Sequence, residues 1–297
     1  MFEQYYGLTE KPFNLTPDTE FFYNSFSHQE ALNVLLVALN SGEGFIKVTG
    51  EVGTGKTLLC RKVLEQLNDS FETVYIPNPF LDTNALFLAI VDELGIPHPE
   101  TGNYLKIINQ HLLDTAAKGK QTVLLLDEAQ SIPEGSLEAI RLLSNLETEK
   151  QKLIQIILFG QPELNTKLEK SSIRQLQQRI MHTYELVPLS ESSLALYIHS
   201  RLNKAGYSGA QLFSQDALHL LFTKTKGVPR LINILASKSL LSAFSQGDFY
   251  IQQTHVKAAI EDSDFVKDKT IAESNIGVLV AVFLSLLIIA LWMRIPL

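Results

Sequence analysis

The sequence predicts an α/β fold built on a five-stranded, mostly parallel sheet and followed by a small all-helical unit. Three observations predict it. Five short runs rich in Val, Ile and Leu read as strands: Gly44–Thr49, Thr73–Ile76, Thr122–Leu126, Leu153–Phe159 and Thr183–Val187. Helical periodicity separates each run from the next, and strands alternating with helices build a parallel sheet covered on both faces. After Pro188 the strand signals stop, and Leu194–Ala205, Asp216–Lys226, Pro229–Phe244 and Gln253–Phe265 read as helices.

The elements follow in order. YYGLTEKPFNLTPDTEFFY, from Tyr5, is aromatic and turn-rich, and Pro12, Pro17 and Asp18 argue for an irregular strap rather than a helix. A helix is expected from about His28 to Asn40, then an apolar run, Phe45–Val48, that ends in Gly50. In the helical unit Ser190, and Ser214 or Gln215, lie near helix starts, while Gly206, Gly227 and Gly247 punctuate the ends. The chain divides into an α/β domain at 1–189 that includes the strap 1–27, a helical lid at 190–265, a polar linker at 266–275 and an apolar segment at 276–293. That last segment, IGVLVAVFLSLLIIALWM, carries no charge and is apolar on all faces. Its 18 residues rise about 27 Å as a helix, close to the roughly 30 Å hydrocarbon core of a bilayer. It is expected to form one C-terminal transmembrane helix.

Composition narrows the function classes. With 297 residues and 45% hydrophobic content the chain can bury a full core. A net charge of −7 gives no global basic footprint for nucleic acid, so no nucleic-acid partner is expected. Cys60 is the only cysteine, which excludes an internal disulfide and points to a reducing compartment. Met1 to Lys11 shows no basic region followed by an apolar stretch, so no secretory signal is read there.

GEVGTGKT, Gly50 to Thr57, fits the phosphate-binding pattern G-x-x-x-x-G-K-[ST]. Glycines let the backbone wrap a phosphate, successive N–H groups form a nest, and the following helix adds its positive end. A chance match in this length is expected only about 0.01 times. Gly50, Glu51, Val52, Gly53, Thr54, Gly55, Lys56, Thr57 and Leu58 are therefore the expected nucleotide-binding residues. Lys56 would meet the β- and γ-phosphates, and the Thr57 hydroxyl would ligate magnesium. TVLLLDEAQ, Thr122 to Gln130, is a buried strand that delivers two acids at its carboxyl end. Asp127 would hold magnesium and Glu128 would activate the attacking water. No N-K-x-D segment selects guanine, because Asn203–Lys204 is followed by Ala205 and Gly206, so ATP is the expected nucleotide.

Three further features stay open on the residues alone. Gln161, at the tip of LIQIILFGQPEL, could touch the γ-phosphate or the water, or could simply open the next helix. Arg230, in Gly227-Val-Pro-Arg230, begins a helix after Pro229 and could swing onto the phosphates or remain a surface charge. Arg174 and Arg179, in IRQLQQRI, could both be solvated helix charges.

The order of phosphate loop, DE strand, Gln-ended strand, arginine before the last strand and GxPR in a helical lid resembles the AAA+ ATPases. YYGLTEKPF, TPD, HQEAL, GEGFIKVTGEVGTGKTLLCR, LLLDEAQ, ILFGQPEL, LQQRI and TKGVPRLIN more narrowly resemble the ExeA-type ATPases of bacterial secretion and type IV pilus systems, over about residues 1–265. The resemblance implies a P-loop NTPase fold of the AAA+ kind, a hexameric homo-oligomer and inner-membrane pilus or secretion proteins as partners. By position it makes Gln161 sensor 1, Arg230 sensor 2 and Arg179 an arginine finger, with Arg174 close by. It places the protein in the bacterial inner membrane, single-pass, with the ATPase domain cytoplasmic; Lys267 and Lys269 against Arg294 agree weakly with that orientation. ExeA-type proteins carry a peptidoglycan-binding module after the span, whereas only Arg294 to Leu297 follow here, so that role is not expected. A DNA-associated ATPase of the transposition-helper type and a slow nucleotide-dependent adaptor are the competing readings.

Overall fold

The computed structural model describes residues 2–42, 44–97, 103–149 and 151–263. The expected linker at 266–275 and the apolar segment at 276–293 lie outside the described residues. Among the described residues no helix is long and apolar enough to cross a membrane.

Five strands form one sheet: β1 (Phe45–Gly50), β2 (Phe71–Ile76), β3 (Gln121–Leu126), β4 (Ile154–Gly160) and β5 (His182–Leu186), in the order β2-β3-β4-β1-β5. Every neighbouring pair is parallel, with Val48 opposite both Phe159 and Tyr184 across β1. The boundaries differ from the sequence reading by at most two residues, and the carboxyl ends of β2 and β3 coincide with it. Successive side chains leave a strand on opposite faces, and here both faces are buried. On β3, Leu124 and Leu126 enter one core while Val123 and Leu125 enter the other. The first core is completed by α4 (Thr83–Glu93), α5 (Tyr104–Ala117) and α6 (Glu134–Leu143). The second is completed by α2 (Phe26–Asn40) and α3 (Lys56–Gln66), which stand on the other face of the sheet. Two short helices, α7 (Glu163–Leu168) and α8 (Arg174–Gln177), connect β4 to β5.

The helical lid contains α9 (Glu191–Lys204), α10 (Gln215–Thr225), α11 (Pro229–Gln246) and α12 (Gln253–Glu261). The side chains of Ser190 and Ser214 cap α9 and α10 by accepting from the N–H groups of Ser193 and Ala217, which satisfies donors that a helix start leaves free. Helix α12 ends at Glu261, four residues short of the expected Phe265.

The N-terminal segment departs from expectation in two ways. Phe2–Tyr5 forms one helical turn, α1, before the irregular strap. The apolar residues of the strap also belong to the lid and not to the sheet: Tyr6, Leu8, Phe13 and Phe21 share a core with Leu194, Leu221, Leu235 and Val256. The physical reason is that helices already cover both faces of the sheet, so the aromatic strap finds its apolar partner on the lid. Polar contacts fix it there. The Thr9 N–H donates to the Ala205 carbonyl at 2.8 Å and the Tyr6 hydroxyl to the Leu240 carbonyl at 3.2 Å. Phe13 meets Phe213 edge-on, with ring centres 6.4 Å apart. Phe13→Ala is expected to cost about 3–5 kcal/mol, the usual cost of deleting a buried phenyl ring, measured as a lower urea midpoint with an unchanged slope.

Candidate functional site

Because the strands are all parallel, their carboxyl ends share one edge, which is where α/β sheets place ligands. The loop after β1, residues 51–55, turns there into α3. Lys56 is 5% exposed, and its ammonium donates to the carbonyls of Gly50 at 2.7 Å and Glu51 at 3.0 Å. Burial lowers its pKa, against the pull of the nearby Glu128 and Asp127 carboxylates. The Thr54 hydroxyl donates to the Glu51 carbonyl at 2.8 Å and closes the turn, with its side chain buried away from the cleft. Beneath the loop sits His28, whose Nε2 lies 3.0 Å from the Thr54 carbonyl and whose Nδ1 lies 2.7 Å from the Ser25 hydroxyl. Burial lowers the His28 pKa, so the neutral ring is favoured. A neutral ring with its proton on Nε2 satisfies both contacts by donating to Thr54 and accepting from Ser25.

The acids follow β3. Asp127 is 2% exposed; its Oδ2 accepts from the Thr57 hydroxyl at 2.6 Å and its Oδ1 from the Glu128 N–H at 2.9 Å. Burial nevertheless raises the Asp127 pKa, and these two hydrogen bonds only partly oppose it. Glu128 stands at φ 51°, in the left-handed region that costs a non-glycine residue about 1–3 kcal/mol. Its Oε2 accepts from Gln130 Nε2 at 2.5 Å and from Gln161 Nε2 at 3.2 Å. Gln130 Oε1 accepts from the Gln161 N–H at 2.9 Å, which fixes the orientation of that amide, since a backbone N–H can only donate. Gln130 thus braces the end of β3 against the end of β4. The DEAQ run contains it, yet nothing local marks it as more than a residue of the next turn.

The lid closes the cleft. Pro229 opens α11, and the Arg230 N–H donates to the Gly53 carbonyl at 3.2 Å. Gly53 has φ +83°, and a Cβ there would lie 2.6 Å from Arg230 Cβ, so loop and lid meet this closely only at glycine. Val52, Gly53, Gly55 and Leu58 line the cleft with Lys56, Thr57, Glu128, Gln161 and Arg230. The strap residues Asn14 to Asp18 and the lid residues Tyr197, Arg201 and Asn233 complete the wall. His28, Gln130, Arg201 and the strap are the parts of the site that sequence reasoning did not assign.

Arg179 is elsewhere. Its Nη1 donates to the Ser144 carbonyl at 3.2 Å, and it lines a separate cavity of about 210 Å³ with Gly44, Phe45, Lys152 and Met181. Gly44 and Phe45 precede or begin β1, so this cavity lies at the amino edge of the sheet, opposite the phosphate loop. Arg174, at the start of α8, is exposed.

A parallel sheet in this order, with a phosphate loop after its inner strand β1, an acid pair after β3 and a helical lid touching the loop, is the AAA+ P-loop fold. The sequence family described as "AAA domain" matches residues 39–168, and an AAA domain implies ATP binding. The chain is similar to a secretion-pathway protein of the ExeA kind. It is 40% identical over 295 residues to the general secretion pathway protein A of Aeromonas hydrophila, an alignment covering 98% of this chain and 53% of that protein. The chain therefore spans about half the length of that relative. Among solved structures, the Aeropyrum pernix ORC2 protein in ADPNP–ADP complexes superposes with a TM-score of 0.62 at 16% identity, covering 86% of this chain and 74% of that one. Cdc6p from Pyrobaculum aerophilum gives 0.61 at 21% identity, covering 82% and 71%. At these identities the likeness is one of fold.

The raised Asp127 pKa carries a stability sign. A carboxyl that holds its proton more tightly when folded contributes stability at low pH, and this is lost as pH rises through the folded value. Above the folded value the ionised side chain therefore works against folding. Asp127→Asn is expected to keep or raise the thermal midpoint measured without nucleotide. A midpoint several degrees lower would contradict this.

Proposed function

We propose that the chain is a magnesium-dependent ATPase that assembles or remodels a secretion or type IV pilus apparatus at the bacterial inner membrane. One observation supports this above the rest: Lys56, Thr57, Glu128, Gln161 and Arg230 converge on one cleft from three strand ends and the lid. Asp127 joins them through its 2.6 Å hydrogen bond from Thr57. A hydroxyl and a carboxylate side by side are hard oxygen donors, which suits magnesium and its preference for oxygen ligands and retained waters. When bound, the ion would neutralise charge on the β- and γ-phosphates. The chain's own residues supply the rest. The loop N–H groups and Lys56 hold the phosphates, and Glu128 orients a water and takes its proton, steadied by the amides of Gln130 and Gln161. Arg230 reports the nucleotide to the lid. Glu128→Gln is expected to bind ATP tightly and to lose at least about 10²-fold in turnover, the scale of general-base catalysis, measured by phosphate release; wild-type turnover would remove Glu128 from this role.

Arg179 faces away from its own cleft, so its part in catalysis requires a neighbouring copy. The reading is a ring, a hexamer by resemblance, in which Arg179 meets the charge that develops on the next subunit's γ-phosphate. Such a trans arginine is worth about 10³–10⁵ in rate. Arg179→Ala should bind ATP almost normally and lose most hydrolysis. Mixed with Glu128→Gln it should recover part of the activity, because one kind of seam then joins an intact Glu128 to an intact Arg179. No recovery in proven mixed rings would count against the trans role, and a defect confined to Arg174→Ala would move the role to Arg174.

Inner-membrane secretion or pilus proteins are the proposed partners, supported by the similarity to general secretion pathway protein A. The uncharged segment 276–293 is the proposed anchor, with the ATPase on the cytoplasmic side where ATP is found. Full-length protein should stay with membranes through carbonate extraction; its release into the soluble fraction would exclude a span.

A further inference from the structure

The phosphate loop, the acids and Gln161 account for one end of the cleft. The other walls come from the strap and from α9 and α11, and the residue joining them is Arg201 of α9. Its side chain is 5% exposed, unusual for an arginine. Its Nε donates to the Pro12 carbonyl at 2.5 Å, Nη2 to the Asn14 carbonyl at 3.4 Å and Nη1 to the Tyr197 hydroxyl at 3.2 Å. The guanidinium also lies over the rings of Phe21 and Tyr197, at 4.9 and 5.7 Å. Tyr197 in turn donates to Asn233 Oδ1 at 2.8 Å. One fork therefore grips the strap backbone on either side of Phe13 and ties it to two lid helices. Arg201, Tyr197, Asn233 and Asn14 all line the nucleotide cleft.

A buried cation is expensive to desolvate, and a strap with four core apolar residues already has its hydrophobic attachment. What the fork adds is a fixed position for the backbone at Pro12 and Asn14, which an apolar contact does not supply. With the phosphates held by the loop, the part left to meet this wall is the nucleoside, whose flat base is its larger group.

We propose that Arg201 is the positioning residue for base recognition: by clamping the strap to α9 and α11 it forms the wall against which the purine of the bound nucleotide rests. This rests on the ATPase reading. Arg201 acts through the strap, Tyr197 and Asn233, so its loss weakens contacts to the base and leaves those to the phosphates in place. Such an interaction is made equally in ground and transition states, so its loss raises KM and leaves kcat nearly unchanged.

The test compares ATP with inorganic tripolyphosphate, which offers the phosphates without the nucleoside; ribose 5-triphosphate, which adds back only the sugar, should follow tripolyphosphate and not ATP. Full-length protein in mild detergent is titrated calorimetrically with each ligand in the presence of magnesium. Arg201→Lys keeps the charge and loses the fork; it should bind tripolyphosphate as the wild type does and ATP about ten-fold or more weakly, the scale of a lost charge-assisted hydrogen bond. Its KM for ATP should rise with kcat little changed. Tyr197→Phe, which keeps the ring and removes only the hydroxyl, should shift the same ratio less, and it carries the test if the lysine variant does not fold. Equal losses for both ligands, or unchanged ATP affinity in a folded variant, would overturn the assignment. A wild type that binds ATP no better than tripolyphosphate would overturn it too, whereas one that binds neither would overturn the ATPase reading beneath it.

Discussion

All five strands run in one direction, and the site depends on that constraint. It brings the ends of β1, β3 and β4 side by side, so that a loop, an acid pair and an amide from residues more than a hundred positions apart meet at one edge. Parallel strands need long crossovers, usually helical, and those helices close both faces of the sheet. The covered faces leave the aromatic strap nowhere to pack except the lid. The lid then becomes the second wall of the cleft, joined to the first where Gly53 and Arg230 touch.

The cleft carries local costs that the core offsets. Lys56 and Asp127 are charged groups drawn out of water, and burial works against the charged form of each. Glu128 holds a backbone conformation its residue type disfavours, and that conformation delivers its carboxylate to Gln130 and Gln161. A region arranged purely for stability would lack all three. Their position at the ends of largely buried strands explains why they persist: β4, beside β1 and β3, is buried along its whole length, and close packing resists relaxation around them.

The legible parts of the sequence were those whose chemistry is local. The phosphate loop, Thr57 and the Asp127–Glu128 pair each announce themselves within a few residues, and the five strands showed as apolar runs to within one or two positions. Gln161 and Arg230 stood at marked places, a strand tip and a helix start, yet their directions became visible only with the cleft. Gln130, His28 and Arg201 were silent, because each acts through a partner 26 to 189 residues away and none sits in a pattern that a short window reads. The strap showed its aromatic character plainly. Its partner did not show, since nothing in a run of Tyr, Phe and Pro says whether it will meet a sheet or a distant helix.

The strap's attachment also orders events during synthesis. Tyr6 binds the Leu240 carbonyl and Tyr5 the Gly247 carbonyl, contacts that span 234 and 242 positions of the chain. At a typical elongation rate of about 5–20 residues per second, these aromatic residues wait at least about ten seconds after they are made for the helix they pack against. The α/β half can settle in that interval, since β5 closes the sheet at Leu186. The strap is therefore placed long after it is made, and until then the growing chain carries a stretch of uncovered aromatic side chains. That is the kind of surface chaperones bind, and it makes the strap a vulnerable point while the chain is being made.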